Sequence, residues 1–159
     1  MFVYYYLHLD VPFRVVDRRL RGLLAGLDGM AAAAYRDGEA LRGKIGVGWS
    51  SEPLVAKAVR IDVGVPRSGE VEMSVPIAWE ATGTPGLFPT MEGDIVISSL
   101  GDQLTQLTFR GSYVPPLGHL GRAIDRVLMH HIAEASVKDF VDRIASSLKD
   151  EPALEVADT

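Results

Sequence analysis

The stretch EVEMSVPIAWE (Glu70–Glu80) alternates apolar and polar side chains with a period of two. Successive side chains of a β-strand point to opposite faces, so this alternation predicts a strand with one covered face and one wet face. The apolar positions are Val71, Met73, Val75, Ile77 and Trp79. Pro76 falls on the wet face and has no N–H to give to a neighbouring strand, which predicts an edge or a bulge at this point.

Other parts of the chain show the same alternation. Apolar residues recur at odd positions before Glu70, where Lys57 interrupts the row formed by Val55, Val59, Ile61, Val63 and Val65. PRSG (Pro66–Gly69) predicts the hairpin turn that leads into the quoted strand. Beyond TGTPG (Thr82–Gly86) and LGD (Leu100–Asp102), two more strands carry apolar residues at Met91, Ile95, Ile97, Leu107, Phe109 and Tyr113. Hairpins joined by short loops predict an antiparallel sheet with one covered face.

Helices are predicted on both sides of this sheet-forming region. FVYYYLHL (Phe2–Leu9) predicts a first strand, after which Asp10 offers an N-cap oxygen and Pro12 fits the first turn of a helix. That helix has apolar side chains at helical spacing: Val16, Leu20, Leu23, Leu24 and Leu27. MAAAAYRDGEALRG (residues 30–43) predicts a second, shorter helix. A long helix from about Leu120 to Lys149 is expected to cover the sheet, and the acidic residues 150–159 are expected to fray.

The composition is that of an ordinary globular domain. The chain has 159 residues, of which 47% are hydrophobic and 23% charged, and residues 1–149 are expected to form a single domain. A net charge of −5 argues against nucleic acid as a partner, and no apolar stretch reaches the length of a membrane span. The lack of cysteine excludes thiol nucleophiles, thiolate metal sites and disulfides. No signal-peptide pattern precedes the first strand, so we expect a cytoplasmic protein.

The sequence contains no recognisable catalytic or cofactor motif. Neither HExxH nor a Walker sequence is present, and no Ser-His-Asp spacing stands out. Most carboxylates of the predicted sheet fall on its wet side, which indicates a solvated face rather than an acid–base pair: Glu70, Glu72, Glu80, Glu92 and Asp94. We therefore expect neither a metal nor a cofactor, and the sequence leaves open whether the protein is an enzyme.

The order of the elements, with a strand, two helices, an antiparallel meander and one long C-terminal helix, resembles that of the helix-grip fold. The segments that carry the resemblance are VPIAWEATG (Val75–Gly83), GLFP (Gly86–Pro89), RGSYVPPLGHLGRAIDR (Arg110–Arg126) and AEASVKDFVDRIA (Ala133–Ala145). On these segments the chain is identified as a member of the SRPBCC superfamily, which includes START lipid-transfer domains, pollen-allergen-type proteins and polyketide cyclases. It is most similar to a bacterial branch of that superfamily.

The resemblance implies an α+β helix-grip (START-like) fold, in which a curved antiparallel sheet of six or seven strands wraps around the C-terminal helix and leaves an apolar cavity. No single catalytic motif runs through the superfamily, so the resemblance implies no catalytic residues. The first hypothesis for function is the binding of a hydrophobic small molecule, lipid-like or polyketide-like, in that cavity. A polyketide cyclase or dehydratase that acts by proton transfer is the alternative. An interaction or regulatory module without a ligand is the third hypothesis.

The residues predicted to line the cavity are mostly large or flexible apolar side chains. Trp79 and Tyr113 stand out among them, because a buried ring with a polar atom needs a hydrogen-bond partner, which a ligand can supply. The same residues would equally suit a solid core. The candidate ligand-binding residues are Tyr5, Met73, Ile77, Trp79, Met91, Ile95, Phe109, Tyr113, Ile124, Leu128 and His131.

The C-terminal helix has two apolar stripes that do not line up. The first half presents Leu120, Ile124, Val127 and Leu128, and the second presents Ala133, Val137, Phe140, Val141, Ile144 and Leu148. The centres of the stripes differ by roughly 120°, against a drift of ~20° per heptad in a straight helix. The helix therefore either bends near Met129–Ile132 or has its two halves buried by different neighbours. A cavity under one half and a packed core under the other would explain this pattern.

Polar residues mark the point where the two stripes meet. His131 continues the first stripe, His130 points along the second, and Glu134 and Lys138 are expected to form an i,i+4 ion pair. A metal site from the two histidines and Glu134 is not expected, because adjacent residues of a helix diverge by about 100°.

Three further features have alternative interpretations. The prolines and glycines of YVPPLGHLGRAID (Tyr113–Asp125) precede a helix, as phosphate-binding loops do, but without GxGxxG or GK[ST] we interpret them as the joint that lays the helix across the sheet. Phe2, Tyr4 and Tyr6 point opposite to Tyr5 and would form an exposed aromatic patch, a candidate homodimer contact, if the outer face is wet. Lys57 either faces inward or extends to water at the open end of its strand.

Overall fold

The computed structural model describes residues 1–24, 59–81, 90–114 and 124–150. These residues form, in chain order, β1 (Phe2–Leu9), α1 (Phe13–Leu23), β2 (Val59–Val63), β3 (Arg67–Ser68), β4 (Glu72–Ala81), β5 (Thr90–Ser99), β6 (Thr105–Val114) and α2 (Ile124–Lys149). The predicted second helix, Lys57 and the loop before α2 lie outside the described residues.

The described strands form one antiparallel sheet that lies against the long helix. The strand order is β1-β6-β5-β4-β2, with β3 beside β4, so that the first strand pairs with the last. α2 packs on β1 and β6, and its second half buries Val137, Phe140, Val141, Ile144 and Leu148. The predicted α+β helix-grip architecture is confirmed, and the second half of the helix lies on a packed core. No helix within the described ranges is long and apolar enough to span a membrane.

The alternation of β1 gives the sheet a covered face and a wet face. Val3 and Leu9 are buried, whereas Phe2, Tyr4 and Tyr6 are each half or more exposed. The rings of these three residues follow one another along the outer face, with centroids 6.5 Å and 5.8 Å apart. The predicted aromatic patch therefore lies on the outside of the sheet.

α1 closes one end of the space between sheet and helix. Val16 and Leu20 are fully buried, and α1 packs against both β5 and α2. The Arg19 guanidinium donates to the carbonyl oxygen of Leu148 in the last turn of α2, and Arg21 donates to the Ser68 hydroxyl of β3. These bonds fix α1 across the end where α2 stops.

The start of α1 differs from the prediction. Pro12 takes the N-cap position with ψ of 142°, and no side chain caps the helix. Val15 and Val16 instead donate their backbone N–H groups to the Pro12 carbonyl. The predicted Asp10 cap was wrong because the helix begins at Phe13, beyond the reach of that short side chain.

Near β3, the apolar alternation of the sequence continues beyond the residues that are buried in the structure. A hydrogen bond of 2.7 Å from Gly69 N to the Glu72 carbonyl closes the turn three residues later than the predicted Pro66–Gly69, whose Arg67 and Ser68 form β3 instead. Val71 therefore lies in the turn and is exposed, as is Val65 between β2 and β3. Val63 pairs with Ile77 but is also exposed, at the end of the edge strand β2. Apolar side chains at alternating positions predict burial only where the chain is both paired and covered.

Pro76 lies on β4, at the point where the strand paired with β4 changes from β2 to β3. Val63 pairs with Ile77 and Arg67 with Ser74, which leaves residues 64–66 opposite only Val75 and Pro76. The extra residue is a bulge, and it lies next to the residue that has no N–H to donate. The bulge predicted at this proline is present.

Candidate functional site

Three large side chains lie side by side across the end of the sheet opposite α1. Trp79 on β4 pairs with Met91 on β5, and Met91 pairs with Tyr113 on β6. Residues paired across antiparallel strands point to the same face, so their side chains form one row, here called the Trp79 row. The three residues are 5%, 2% and 0% exposed. The row is thus a buried, mainly apolar wall.

The other residues predicted to line a cavity take different places. The remaining predicted residues on β4 to β6 also face inward and are buried, namely Met73, Ile77, Ile95 and Phe109. Tyr5 is only partly buried, and the His131 side chain is 60% exposed beside β1. Ile124 and Leu128 belong to α2, but their side chains lie outside the described part of the structure.

An aromatic cluster connects the Trp79 row to the helix. The Trp79 ring lies 5.6 Å from that of Phe109 and 5.0 Å from that of Phe140, the latter nearly edge-on at 68°. Such tilted pairs stabilise a core beyond the area that they bury. The middle of the interface between sheet and helix is therefore filled by these three rings.

A pair of glycines makes room for this cluster. Gly93 on β5 pairs with Gly111 on β6, in the position next to the Trp79 row. A Cβ on Gly93 would lie 2.5 Å from the Arg110 carbonyl oxygen and 2.9 Å from Cζ of Phe109. The Phe109 ring thus lies over the bare backbone of the glycine pair, where any larger residue would collide with it.

The Tyr113 hydroxyl is the polar group at the β6 end of the Trp79 row. Two acceptors lie within reach of its one hydrogen, the Met1 sulfur at 3.0 Å and Nδ1 of His130 at 3.4 Å, and the His130 ring stacks on the phenol. Burial raises the pKa of Tyr113, and the Glu134 carboxylate adds a smaller increase. A thioether is a weak acceptor and 3.4 Å is long for a hydrogen bond. The hydroxyl therefore has hydrogen-bonding capacity left for another group.

His130 connects this hydroxyl to the surface. Its Nε2 lies 3.2 Å from Glu134 Oε1, and Nδ1 of His131 lies 3.5 Å from the other carboxylate oxygen. Lys138 contacts Asp142 instead of Glu134, so the predicted Glu134–Lys138 pair was wrong. Among the residues that the structure describes, no group of histidines and carboxylates is arranged to hold a metal ion.

A separate groove of about 380 Å³ runs between β1 and α2. Its lining residues are Val3, Tyr4, Tyr5, His131, Glu134, Ala135 and Lys138. The Tyr5 hydroxyl donates to Asp142 Oδ1 at 3.0 Å, and the Lys138 ammonium lies 5.7 Å from the centre of the Tyr5 ring. Burial and Asp142 raise the pKa of Tyr5. Tyr5 therefore ties β1 to α2 at the rim and does not extend the Trp79 row.

Sequence reasoning missed the part played by Met1 and by the two glycines. Met1 continues the pairing of β1 with β6, exchanging backbone hydrogen bonds of 2.7 Å and 2.8 Å with Tyr113. The register of β1 against β6 could have revealed the contact of Met1. Once Phe2 is aligned with Ser112, Met1 must lie opposite Tyr113, and the partners of the other β1 residues are fixed as well.

A curved antiparallel sheet that grips a C-terminal helix defines the helix-grip class, and solved structures share this fold over most of the chain. The Zhui aromatase/cyclase from Streptomyces sp. R1128 matches with a TM-score of 0.52 and 12% sequence identity, over 94% of this chain and 93% of that one. A conserved protein from Geobacillus kaustophilus matches with a TM-score of 0.54 and 19% identity, over 93% and 95%.

These similarities establish the fold. The expected helix-grip architecture is confirmed by both structures. No family model matches the sequence, and no curated protein sequence matches it. The function must therefore be argued from the residues of the site.

Proposed function

We propose that the protein binds a hydrophobic small molecule against the Trp79 row, between the sheet and α2. The supporting observation is the row itself, in which three large and nearly buried side chains share one face with a single phenol hydroxyl. Apolar walls with a few placed polar groups are typical of small-molecule sites.

The position of α1 favours the end of the sheet that carries the Trp79 row as the binding site. α1 covers the opposite end with Val16 and Leu20, and these residues belong to the same buried apolar cluster as Met73 and the Trp79 row. The Trp79 row differs from the α1 end in carrying the Tyr113 hydroxyl next to His130. Ligand binding would use the row while the α1 end supplies stability.

Native mass spectrometry of the purified protein, followed by extraction and identification of any bound molecule, tests the proposal directly. A lipid-like or aromatic molecule bound in a one-to-one ratio would support it. Consistently empty spectra, together with no uptake of the neutral probe N-phenyl-1-naphthylamine, would contradict it. That result would favour the interaction module, with the exposed Phe2, Tyr4 and Tyr6 rings as its surface.

Two buried methionines provide a matched pair of variants. Met91 lies in the Trp79 row, and Met73 faces the same side of the sheet at the α1 end. Met91→Ala and Met73→Ala should each lower the free energy of unfolding by about 2–5 kcal/mol. Only Met91→Ala should change the affinity for N-phenyl-1-naphthylamine, measured by fluorescence titration at a temperature where circular dichroism shows both variants folded. Equal effects on affinity would contradict the proposed location.

A second candidate function is proton-transfer catalysis of the cyclase kind, and one observation favours it. Tyr113, His130 and Glu134 form a chain in which a carboxylate holds an imidazole that faces a buried hydroxyl. Groups arranged in this way can exchange a proton with a bound substrate. The similarity to the Zhui aromatase/cyclase supports this candidate through the fold alone.

Deuterium uptake from solvent tests the catalytic candidate. The probe is 2-tetralone, a two-ring ketone with acidic hydrogens next to its carbonyl group. Acceleration by the wild type that is lost in Tyr113→Phe and in His130→Gln would support catalysis. Binding of 2-tetralone without any acceleration would leave the protein a carrier.

A further inference from the structure

The Tyr113 hydroxyl has one hydrogen and two protein acceptors for it. The Met1 sulfur lies at 3.0 Å and Nδ1 of His130 at 3.4 Å. A phenol hydroxyl donates once and accepts through its oxygen lone pairs. Whichever acceptor takes the hydrogen, the oxygen of Tyr113 keeps its accepting capacity.

Glu134 sets the direction of the bond between Tyr113 and His130. A carboxylate can only accept a hydrogen bond, so Glu134 Oε1, 3.2 Å from Nε2 of His130, favours the tautomer with its hydrogen on Nε2. In that neutral tautomer the other ring nitrogen is an acceptor. Nδ1 then accepts from Tyr113 and has no hydrogen to donate to it.

The Met1 side chain is the group that a ligand would replace at this hydroxyl. It is about half exposed and holds the hydroxyl only through a thioether. Its backbone is fixed separately by the hydrogen bonds to Tyr113, so the side chain can move without unpairing β1. A methionine side chain has flexible torsions and adapts readily to such a change.

We infer that the Trp79 row selects ligands whose polar end donates a hydrogen bond, namely neutral alcohols and phenols, over ligands that can only accept one. This inference rests on the proposed binding function. A ligand hydroxyl would donate to the Tyr113 oxygen while Tyr113 keeps its bond to His130. An ether or ketone would instead compete with Nδ1 of His130 for the single phenol hydrogen.

The test compares 2-naphthol with 2-methoxynaphthalene, which has the same rings but no donor. Dissociation constants are measured by displacement of N-phenyl-1-naphthylamine. We expect wild-type protein to bind 2-naphthol about threefold to tenfold more tightly, the contribution of one neutral hydrogen bond. Tyr113→Phe keeps the ring and removes the acceptor, so the two ligands should bind alike.

His130→Phe separates hydrogen-bond direction from packing. The variant keeps an aromatic ring beside Tyr113 but frees the phenol hydrogen, so 2-methoxynaphthalene should bind more tightly while 2-naphthol changes little. A role for His130 in packing alone would shift both ligands together. His131→Phe, on the exposed side of the same helix, is the control and should leave the affinity ratio unchanged.

The outcomes distinguish the inference from the function on which it rests. Equal affinities for the two ligands in the wild type, or a preference that survives Tyr113→Phe, would overturn the inference and leave ligand binding intact. Failure of the wild type to bind any of the three naphthalene compounds would contradict the proposed function as well.

Discussion

Replacement of glycine by alanine should destabilise the protein at Gly93, one of the pair under Phe109, and should not do so at Gly22 in α1. In Gly93→Ala the new Cβ would lie 2.5 Å from the Arg110 carbonyl oxygen and 2.8 Å from the Gly111 Cα. Ordinary contacts of this kind begin at 3.4 Å, so the two strands must separate by about 0.9 Å. Both colliding atoms belong to the backbone, and therefore no side-chain rotation can relieve the collision.

Strain of this kind has a predictable size. Overpacking a core costs about 1–3 kcal/mol, and displacement of a central strand pair should place Gly93→Ala at or above the upper end of that range. For a domain of this length, 3 kcal/mol corresponds to a fall of about 6–12 °C in Tm. The measurement is thermal unfolding followed by circular dichroism, with urea unfolding as a second method.

Gly22→Ala is the matched control. Gly22 lies in α1, and its added Cβ would have nothing within 4 Å. Alanine favours a helix over glycine by about 0.5–1 kcal/mol in a helix interior, so this variant should unfold at the wild-type temperature or slightly above it. Adding Phe109→Leu to Gly93→Ala should restore little, because the backbone collision persists. Wild-type stability in Gly93→Ala, or full rescue by Phe109→Leu, would refute the argument.

Two other predictions concern the contacts of α2. Arg19→Met removes the donor to the Leu148 carbonyl in the last turn of α2 and should lower the free energy of unfolding by about 1–2 kcal/mol, as measured by urea titration. Arg18→Met, at an exposed position of the same helix, is the control. An equal loss in both variants would show that the bond to Leu148 is unimportant. Asp142→Asn should lower the raised pKa of Tyr5, although burial will keep it above the ordinary value of about 10, as NMR titration of labelled tyrosine would detect. Because the folded chain favours the protonated Tyr5 phenol, the associated stability is present below about pH 10 and is lost as the pH rises through the raised pKa. Tyr5→Phe should make that alkaline loss shallower, and an unchanged alkaline profile would argue against the Tyr5 contribution.

The strands from Glu72 to Val114 could be predicted from the sequence because their alternation is strong and local. Period-two patterns place a residue on the inner or outer face without knowledge of its partners. The inward positions of Trp79, Met91 and Tyr113 followed from this alone. The same reasoning was wrong at Val71, where apolar character continues although the chain has turned.

The composition of the candidate site could be predicted less well because it depends on register and on helix phase. The contact between Met1 and Tyr113 joins residues 112 positions apart in the chain and is invisible in any local window. The sequence left open which of His130 and His131 faces inward and placed only His131 among the candidate residues, whereas in the structure His130 stacks on Tyr113. Adjacent residues of a helix point about 100° apart, so a small error in the predicted direction of the helix face is enough to assign the wrong one of two neighbours to the inner side.

The pairing of β1 with β6 has a consequence for how the chain is made. Tyr113 is synthesised 112 residues after Met1, so the backbone hydrogen bonds between the two residues cannot form before then. At the usual speed of synthesis that interval lasts roughly 5–20 s, during which the aromatic first strand has no partner in the sheet. Long-range strand pairing is also slow in itself. Because the aromatic strand Phe2–Leu9 is made long before its partner β6, shielding of this segment during translation should affect the yield of folded protein more than the stability of the finished fold does.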